Sequence, residues 1–183
     1  DDSLVWPFVT SPEITNALCG KSGTLRNEAL SKGPDYKVID TQASWDKSQG
    51  EMHPLFYKSV AYNRISVFIN VPPVEDAQGE ASSTTGQRMM WFRNKESRDL
   101  AFTLFVSKWM FAWWAMNGDD NNVTQDTLLS FPIDFSSISK KDKNELLKLS
   151  SLLHESMTKK IKWKANKRLR IGNWDLSDSG DIL

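Results

Sequence analysis

A chain of 183 residues is the length of one ordinary domain, and a hydrophobic share of 39% with eight Trp can build an aromatic-rich core. Lys+Arg and Asp+Glu both number 23, so no net field draws the whole chain toward nucleic acid or an anionic membrane. The single cysteine, Cys19, excludes an internal disulfide and points to a reducing cytoplasm. No basic stretch followed by an apolar one opens the chain, as a secretory signal requires, and the missing initiator Met suggests a piece of a longer polypeptide. The charge is unevenly spread. Residues 1–138 carry 12 basic against 17 acidic side chains, residues 139–170 carry 11 against 3, and residues 171–183 none against 3. One end of the domain is therefore expected to meet a polyanion.

In chain order, short apolar pieces at 5–9, 14–18 and 36–39, separated by Pro, Gly and Ser, read as turns and short elements. Residues 56–70, rich in β-branched and aromatic side chains, predict one or two strands. An exposed loop is expected over 71–86, after Pro72-Pro73, and a short strand over 88–93. Residues 100–116 contain no Pro or Gly and predict one helix, apolar on nearly every face and central to the core. At 17 residues this run is short of the roughly 20 a membrane span needs. Asn117-Gly118 supplies the residue types of a left-handed helix cap. Thr124 offers an N-cap for a short helix through Leu129, with Pro132 soon after it. Ser139 opens a longer helix with apolar positions at Leu146, Leu149, Leu153 and Met157, expected to run on toward Ala165 or Leu169. The reading is a single α+β domain. A β-rich part with short strands (1–95) packs on a helical part (96–170) made of a buried Trp-rich helix and a C-terminal basic helix, and a tail (171–183) follows.

Catalytic chemistry is not visible. The nine glycines are scattered, with no G-x-G loop to let a cofactor approach the backbone. Asn70-Val71-Pro72-Pro73-Val74 is the nearest string to the polar-Pro-Pro-aromatic segment that grips a flipped base. Val71 replaces its hydrogen-bond acceptor and Val74 its stacking ring. His53 and His154 stand about a hundred residues apart without a Cys or acidic ligand cluster, so no metal site is expected. Glu75, Asp76 and Glu80 have no matching Lys, and Cys19 has no specific partner, so both read as structural.

Nucleic-acid chemistry has better candidates. Lys159, Lys160, Lys162, Lys164, Lys167, Arg168 and Arg170 fall within twelve residues, a density suited to phosphate contact and counterion release. The plainer reading is a solvated helix end whose lysines satisfy the terminal carbonyls and helix dipole. For base edges the candidates are Asn121, Asn122 and Gln125, with Asn117, in one loop, and Gln87, Arg88 and Arg93 around Trp91. Asn and Gly are also ordinary turn residues. The Trp109, Phe111, Trp113 and Trp114 block is assigned to the core rather than to base stacking.

The order of features through residues 92–183 is informative as a whole. Trp91-Phe92 precedes a helix carrying Ser107 and Trp113-Trp114. The loop Asn117-Gly118-Asp119-Asp120 follows, then a small helix, Phe131-Pro132, a basic segment and Ile171-Gly172-Asn173-Trp174. This resembles the end of the target-recognition region in large adenine-specific DNA methyltransferases and fused restriction-modification enzymes. The resemblance implies a non-catalytic module that binds duplex DNA and positions it for a catalytic domain, in the same or a partner chain, that holds S-adenosylmethionine. The family loop often carries a basic residue where Asp120 or Asn121 stands here, and residues 1–90 match nothing in it. The alternative is a protein-interaction or inhibitory module that docks an acidic partner on a basic helix.

Overall fold

A computed structural model describes residues 24–29, 53–61, 64–82, 86–119 and 121–174. The expected elements at 5–9, 14–18 and 36–39, Cys19 and the tail from 175 onward lie outside the described residues. The strands are β1 (His53–Lys58), β2 (Val67–Phe68), β3 (Val74–Glu75), β4 (Gln87–Phe92), β5 (Ile161–Asn166) and β6 (Leu169–Trp174). The α-helices are α1 (Lys95–Phe105), α2 (Lys108–Asn117), α3 (Gln125–Leu129) and α4 (Lys140–Thr158). Two antiparallel three-stranded sheets result, ordered β2–β1–β4 and β3–β6–β5. The class is α+β, as the sequence predicts.

β1 pairs with β4 over its whole length, from His53 opposite Phe92 to Lys58 opposite Gln87. Leu55, Phe56 and Tyr57 are all buried, as are Met89, Met90, Trp91 and Phe92, so this sheet is covered on both faces and its strands read as near-continuous apolar runs. α1 starts at Asn94, whose side chain accepts the Ser97 N–H at 2.7 Å, and it buries Leu100, Ala101, Phe102 and Phe105. Its one buried carboxylate, Asp99, is held by Lys95 at 2.7 Å and Arg98 at 2.6 Å, the double pairing a desolvated charge requires. α4 runs beside α1, joined by a hydrogen bond from Thr103 Oγ1 to the Leu146 carbonyl at 3.3 Å.

Five expectations need correction. The single helix over 100–116 is two, because Ser107 turns its hydroxyl back to accept the Met110 N–H at 3.3 Å and caps α2. The break lets each half bury one face: Met110, Ala112 and Trp114 go inside, whereas Trp109 is 39% exposed and Met116 50%. Gly118 is extended rather than left-handed (φ −90°). It is glycine because a Cβ there would lie 2.7 Å from the Trp114 carbonyl oxygen and 2.8 Å from its indole Nε1. The stripe of α4 uses Leu146, Ser150, Leu153 and Met157. Ser150 is 1% exposed and Leu149 turns outward at 38%, because a residue four past Leu146 keeps the inner face better than one three past it. The loop expected at 71–86 contains β3, paired through Val74 with Ile171.

The largest correction concerns the C-terminal basic helix. α4 stops at Thr158, well before Ala165 or Leu169, and residues 161–174, which cross the expected boundary between helical part and tail, form a β-hairpin. The alternation of Ile161, Trp163 and Ala165 with Lys162, Lys164 and Asn166 has the period of a strand, which outweighs the helix-compatible lysines. By contrast, the N-caps at Thr124 and Ser139 form as expected, each accepting an N–H three residues on. No helix among the described residues is long and apolar enough to cross a membrane.

His154, half-buried on α4, stands edge-on to Phe102 with 6.4 Å between ring centres. Burial, then the Arg98 charge, outweigh the Asp99 carboxylate and hold its pKa below the usual 6.5. The unfolded chain therefore takes up this proton first as pH falls, and His154 costs stability once the pH drops through that range. In thermal melts at about pH 7.5 and about pH 5, His154→Gln is expected to lose less stability than the wild type; equal losses would remove His154 from the pH response.

Candidate nucleic-acid interface

The hairpin turns through Lys167 and Arg168, between the paired residues Asn166 and Leu169. Lys167 has φ 54°, a left-handed conformation that two-residue hairpin turns commonly need and that glycine or asparagine adopts more easily. Residues directly opposite in an antiparallel pair share a face. One face therefore carries Ile161, Trp163 and Ala165 with Trp174, Gly172 and Arg170, and the other carries Lys162, Lys164 and Asn166 with Asn173, Ile171 and Leu169. Every residue from 161 to 168 is exposed.

The two faces do different work. On the first, the Arg170 guanidinium lies 4.7 Å from the centre of the Trp163 ring and donates to Glu75 on β3 at 3.1 Å. Arg170 thus braces β5, β6 and β3 together. On the second, Lys58 Nζ donates to Asn173 Oδ1 at 2.5 Å, directly across from Lys162. Burial, and then the charges of Arg64 and Lys164, lower the Lys58 pKa from its usual 10.5. Lys58 and Lys162 therefore meet at Asn173, and the charges of Arg64 and Lys164 reach Lys58. Lys58, Arg64 and Asn173 are absent from the sequence candidates, and no local signal marks them, because Lys58 and Asn173 are 115 residues apart.

The hairpin is seated through three residues of the Ile171-Gly172-Asn173-Trp174 motif. Gly172 N–H donates to the Pro73 carbonyl at 2.8 Å, Asn173 receives Lys58, and Trp174 Nε1 donates to the Asn70 carbonyl at 2.9 Å. A Cβ at Gly172 would fall 2.7 Å from the Pro73 oxygen, a backbone atom with little room to retreat.

The remaining candidates are dispersed. Lys159 caps α4 and pairs with Glu155 at 3.5 Å, and Lys160 is exposed in the link to β5. Arg88 stands opposite Tyr57, hence on the reverse face of its sheet from Lys58, and its Nη1 donates to the Gln87 carbonyl at 3.3 Å. Arg93 lies past β4 at the His53 end of β1, about 17 Å from the Lys58 end at about 3.3 Å per residue. The loop asparagines do turn and cap work. Asn122 Nδ2 donates to Asp119 at 2.9 Å, its carbonyl accepts the Trp114 indole at 2.8 Å, and Asn117 Nδ2 donates to the Trp113 carbonyl at 2.9 Å. The Asn122 side chain, then its backbone N–H, hold the Asp119 carboxyl below the usual range. Gln125 is the first residue of α3, and Asn121 is exposed. This loop reaches the hairpin's support by its backbone: Ala61 N–H donates to the Asn121 carbonyl at 3.2 Å and Val123 N–H to Ser59 at 2.8 Å.

No family model, curated protein or solved structure matches this chain.

Gly172→Ala is expected to loosen the hairpin from β3, seen as faster amide exchange through β5 and β6 while β1 and β4 keep their protection; unchanged exchange in β6 would refute the close-approach argument. Lys167→Gly is expected to raise stability by about 1 kcal/mol through relief of the left-handed turn, measured by denaturant unfolding, although it removes a charge.

Proposed function

We propose that this chain is a non-catalytic recognition module that holds duplex DNA on its basic hairpin beside an adenine-methylating catalytic domain, in the same polypeptide or a partner, within the cytoplasm. The observation that carries the DNA reading is the hairpin itself. Its outer strand and its turn, residues 161–168, are exposed throughout, with Lys162 and Lys164 on one face and Lys167 and Arg168 at the tip, and the major groove admits a two-stranded ribbon. Phosphate contact by such lysines is independent of sequence, so the hairpin supplies affinity and register, while base discrimination needs further side chains. Arg170, already committed to Glu75 and Trp163, serves as a brace.

The methylation half of the reading rests on the resemblance through residues 92–183. The cofactor would belong to the other domain. Among the described residues the one strand-to-helix junction, Arg93-Asn94 between β4 and α1, has no glycine to admit a nucleotide cofactor to the backbone.

The test is binding of a duplex oligonucleotide across a salt series. Replacing Lys162, Lys164, Lys167 and Arg168 together by Ala is expected to abolish most binding and reduce the slope of log affinity against log salt by about 3 to 4. Affinity and slope unchanged by these substitutions would overturn the reading. Capture of an acidic protein by a chain with no DNA affinity at any salt would replace it with the docking alternative.

A further inference from the structure

Trp113, Trp114 and Trp174 each set the indole N–H on a backbone carbonyl, of Thr127, Asn122 and Asn70 respectively. Trp163 stands instead on the outer strand of the hairpin and is 39% exposed. Directly across from it is Gly172, which has no side chain to shield it, and Arg170 is the next residue of β6 on the same face. The Arg170 guanidinium covers one side of the indole, 4.7 Å from the ring centre, and is itself held by Glu75 at 3.1 Å. The ring is thereby clamped without being buried.

This face is the solvent side of the β3–β6–β5 sheet. On the reverse side Val74 is buried and Asn173 receives Lys58, whereas Pro73 and Ile161 are exposed like Trp163. A Cβ at Gly172 would lie 3.2 Å from both Ile161 Cγ2 and Pro73 Cδ, so these two side chains flank the glycine and widen the apolar floor beside Trp163. Glu75, the one carboxylate that strand pairing places on this face, is neutralised by Arg170. Lys167 and Arg168, both exposed, form the turn roughly 13 Å along the strand from Trp163. A held π-surface with cations beside it, and with its one acid neutralised, matches a nucleobase and its phosphates. A base within a duplex has both faces stacked on its neighbours and offers none to a protein ring, whereas an unpaired base can leave the stack.

We infer that Trp163, clamped by Arg170, is a stacking platform for an unpaired base, with Lys167 and Arg168 receiving the phosphates next to it. The inference rests on the DNA reading and narrows its ligand. The tip cations hold the backbone whatever the sequence, and Trp163 favours a site where one base is free of the stack.

The experiment uses the full chain with 5-fluorotryptophan in place of tryptophan, so that Trp163 is followed by its own fluorine resonance, assigned from Trp163→Phe. Two probes of equal charge are titrated: a strand of about ten thymidylates, and a strand of the same length with the sugar-phosphate backbone but no bases. The thymidylate strand is expected to shift the Trp163 resonance and to bind about tenfold tighter than the abasic strand, the gain from one stacked base. Trp163→Phe keeps most of that ratio, and Trp163→Leu brings it to about one. A tryptophan that merely braces the hairpin would lower both affinities together in Trp163→Leu and leave the ratio intact, which overturns the platform. Equal binding of the two strands by the wild type, or an unmoved Trp163 resonance, overturns it as well. If Trp163→Leu opens the hairpin, seen as lost amide protection in β5 and β6, the wild-type resonance and ratio decide alone. Binding of a fully paired duplex across a salt series separates the two readings. If the duplex is bound with a steep salt slope while the two strands bind equally, the platform fails and the DNA reading survives. If thymidylate is held through Trp163 while the duplex has no affinity at any salt, the duplex reading fails and the platform stands.

Discussion

Residues 58–61 must satisfy their polar groups from four different parts of the chain, and the arrangement of the interface follows from that demand. Lys58 N–H goes to Ser66, Ser59 N–H to Gly86, Ala61 N–H to Asn121, and the Ser59 carbonyl accepts from Val123. The Lys58 side chain then reaches Asn173. A buried backbone group without a partner costs about as much as a lost hydrogen bond, so these few residues fix the neighbours they recruit. β2, the end of the 71–86 segment, the loop after α2 and the hairpin are brought to one place by a stretch with no catalytic or motif character of its own. The core below serves the same end: Phe131 packs edge-on to Trp113, and its carbonyl accepts the Leu25 N–H at 3.1 Å, so the Phe-Pro junction anchors the loop's far side.

Much of this fold is legible in the sequence where local chemistry decides it. β1 and β2 fall within the β-branched and aromatic run at 56–70 or just before it, β4 matches the run at 88–93 to a residue, and Thr124 and Ser139 cap as their side chains dictate. Elsewhere composition misleads, because period or a single capping atom decides. Seven basic residues in twelve suggest a helix end, yet Ile161, Trp163 and Ala165 alternate with polar residues. One hydroxyl, Ser107, divides an apolar run that contains neither Pro nor Gly. β3 was illegible because its pairing partner, β6, lies almost a hundred residues away. The contact between Lys58 and Asn173 was illegible for the same reason, since 115 residues separate the two.

The lysines of β5 also admit a plainer role, since β5 is the outer strand of its sheet and charges on such a strand discourage pairing with another chain. Edge protection accounts for Lys162 and Lys164 as charges. It does not account for Lys58, which lies on β1, the central strand of the other sheet, and donates to Asn173, the residue paired with Lys162.

Lys162 and Lys164 are two residues apart on one strand face, about 7 Å at the rise of a strand. This is within the roughly 8 Å screening length of physiological salt, so a polyanion meets them as one field. At the other end of the first face, Arg170 neutralises Glu75, the acid paired against β6, so the acidic body does not cancel the ribbon where it leaves β3. An anion that binds the folded chain and not the unfolded one returns its binding free energy as stability. On the proposed DNA reading, a duplex held on Lys162 and Lys164 would therefore add to the stability of the outer strand that carries them.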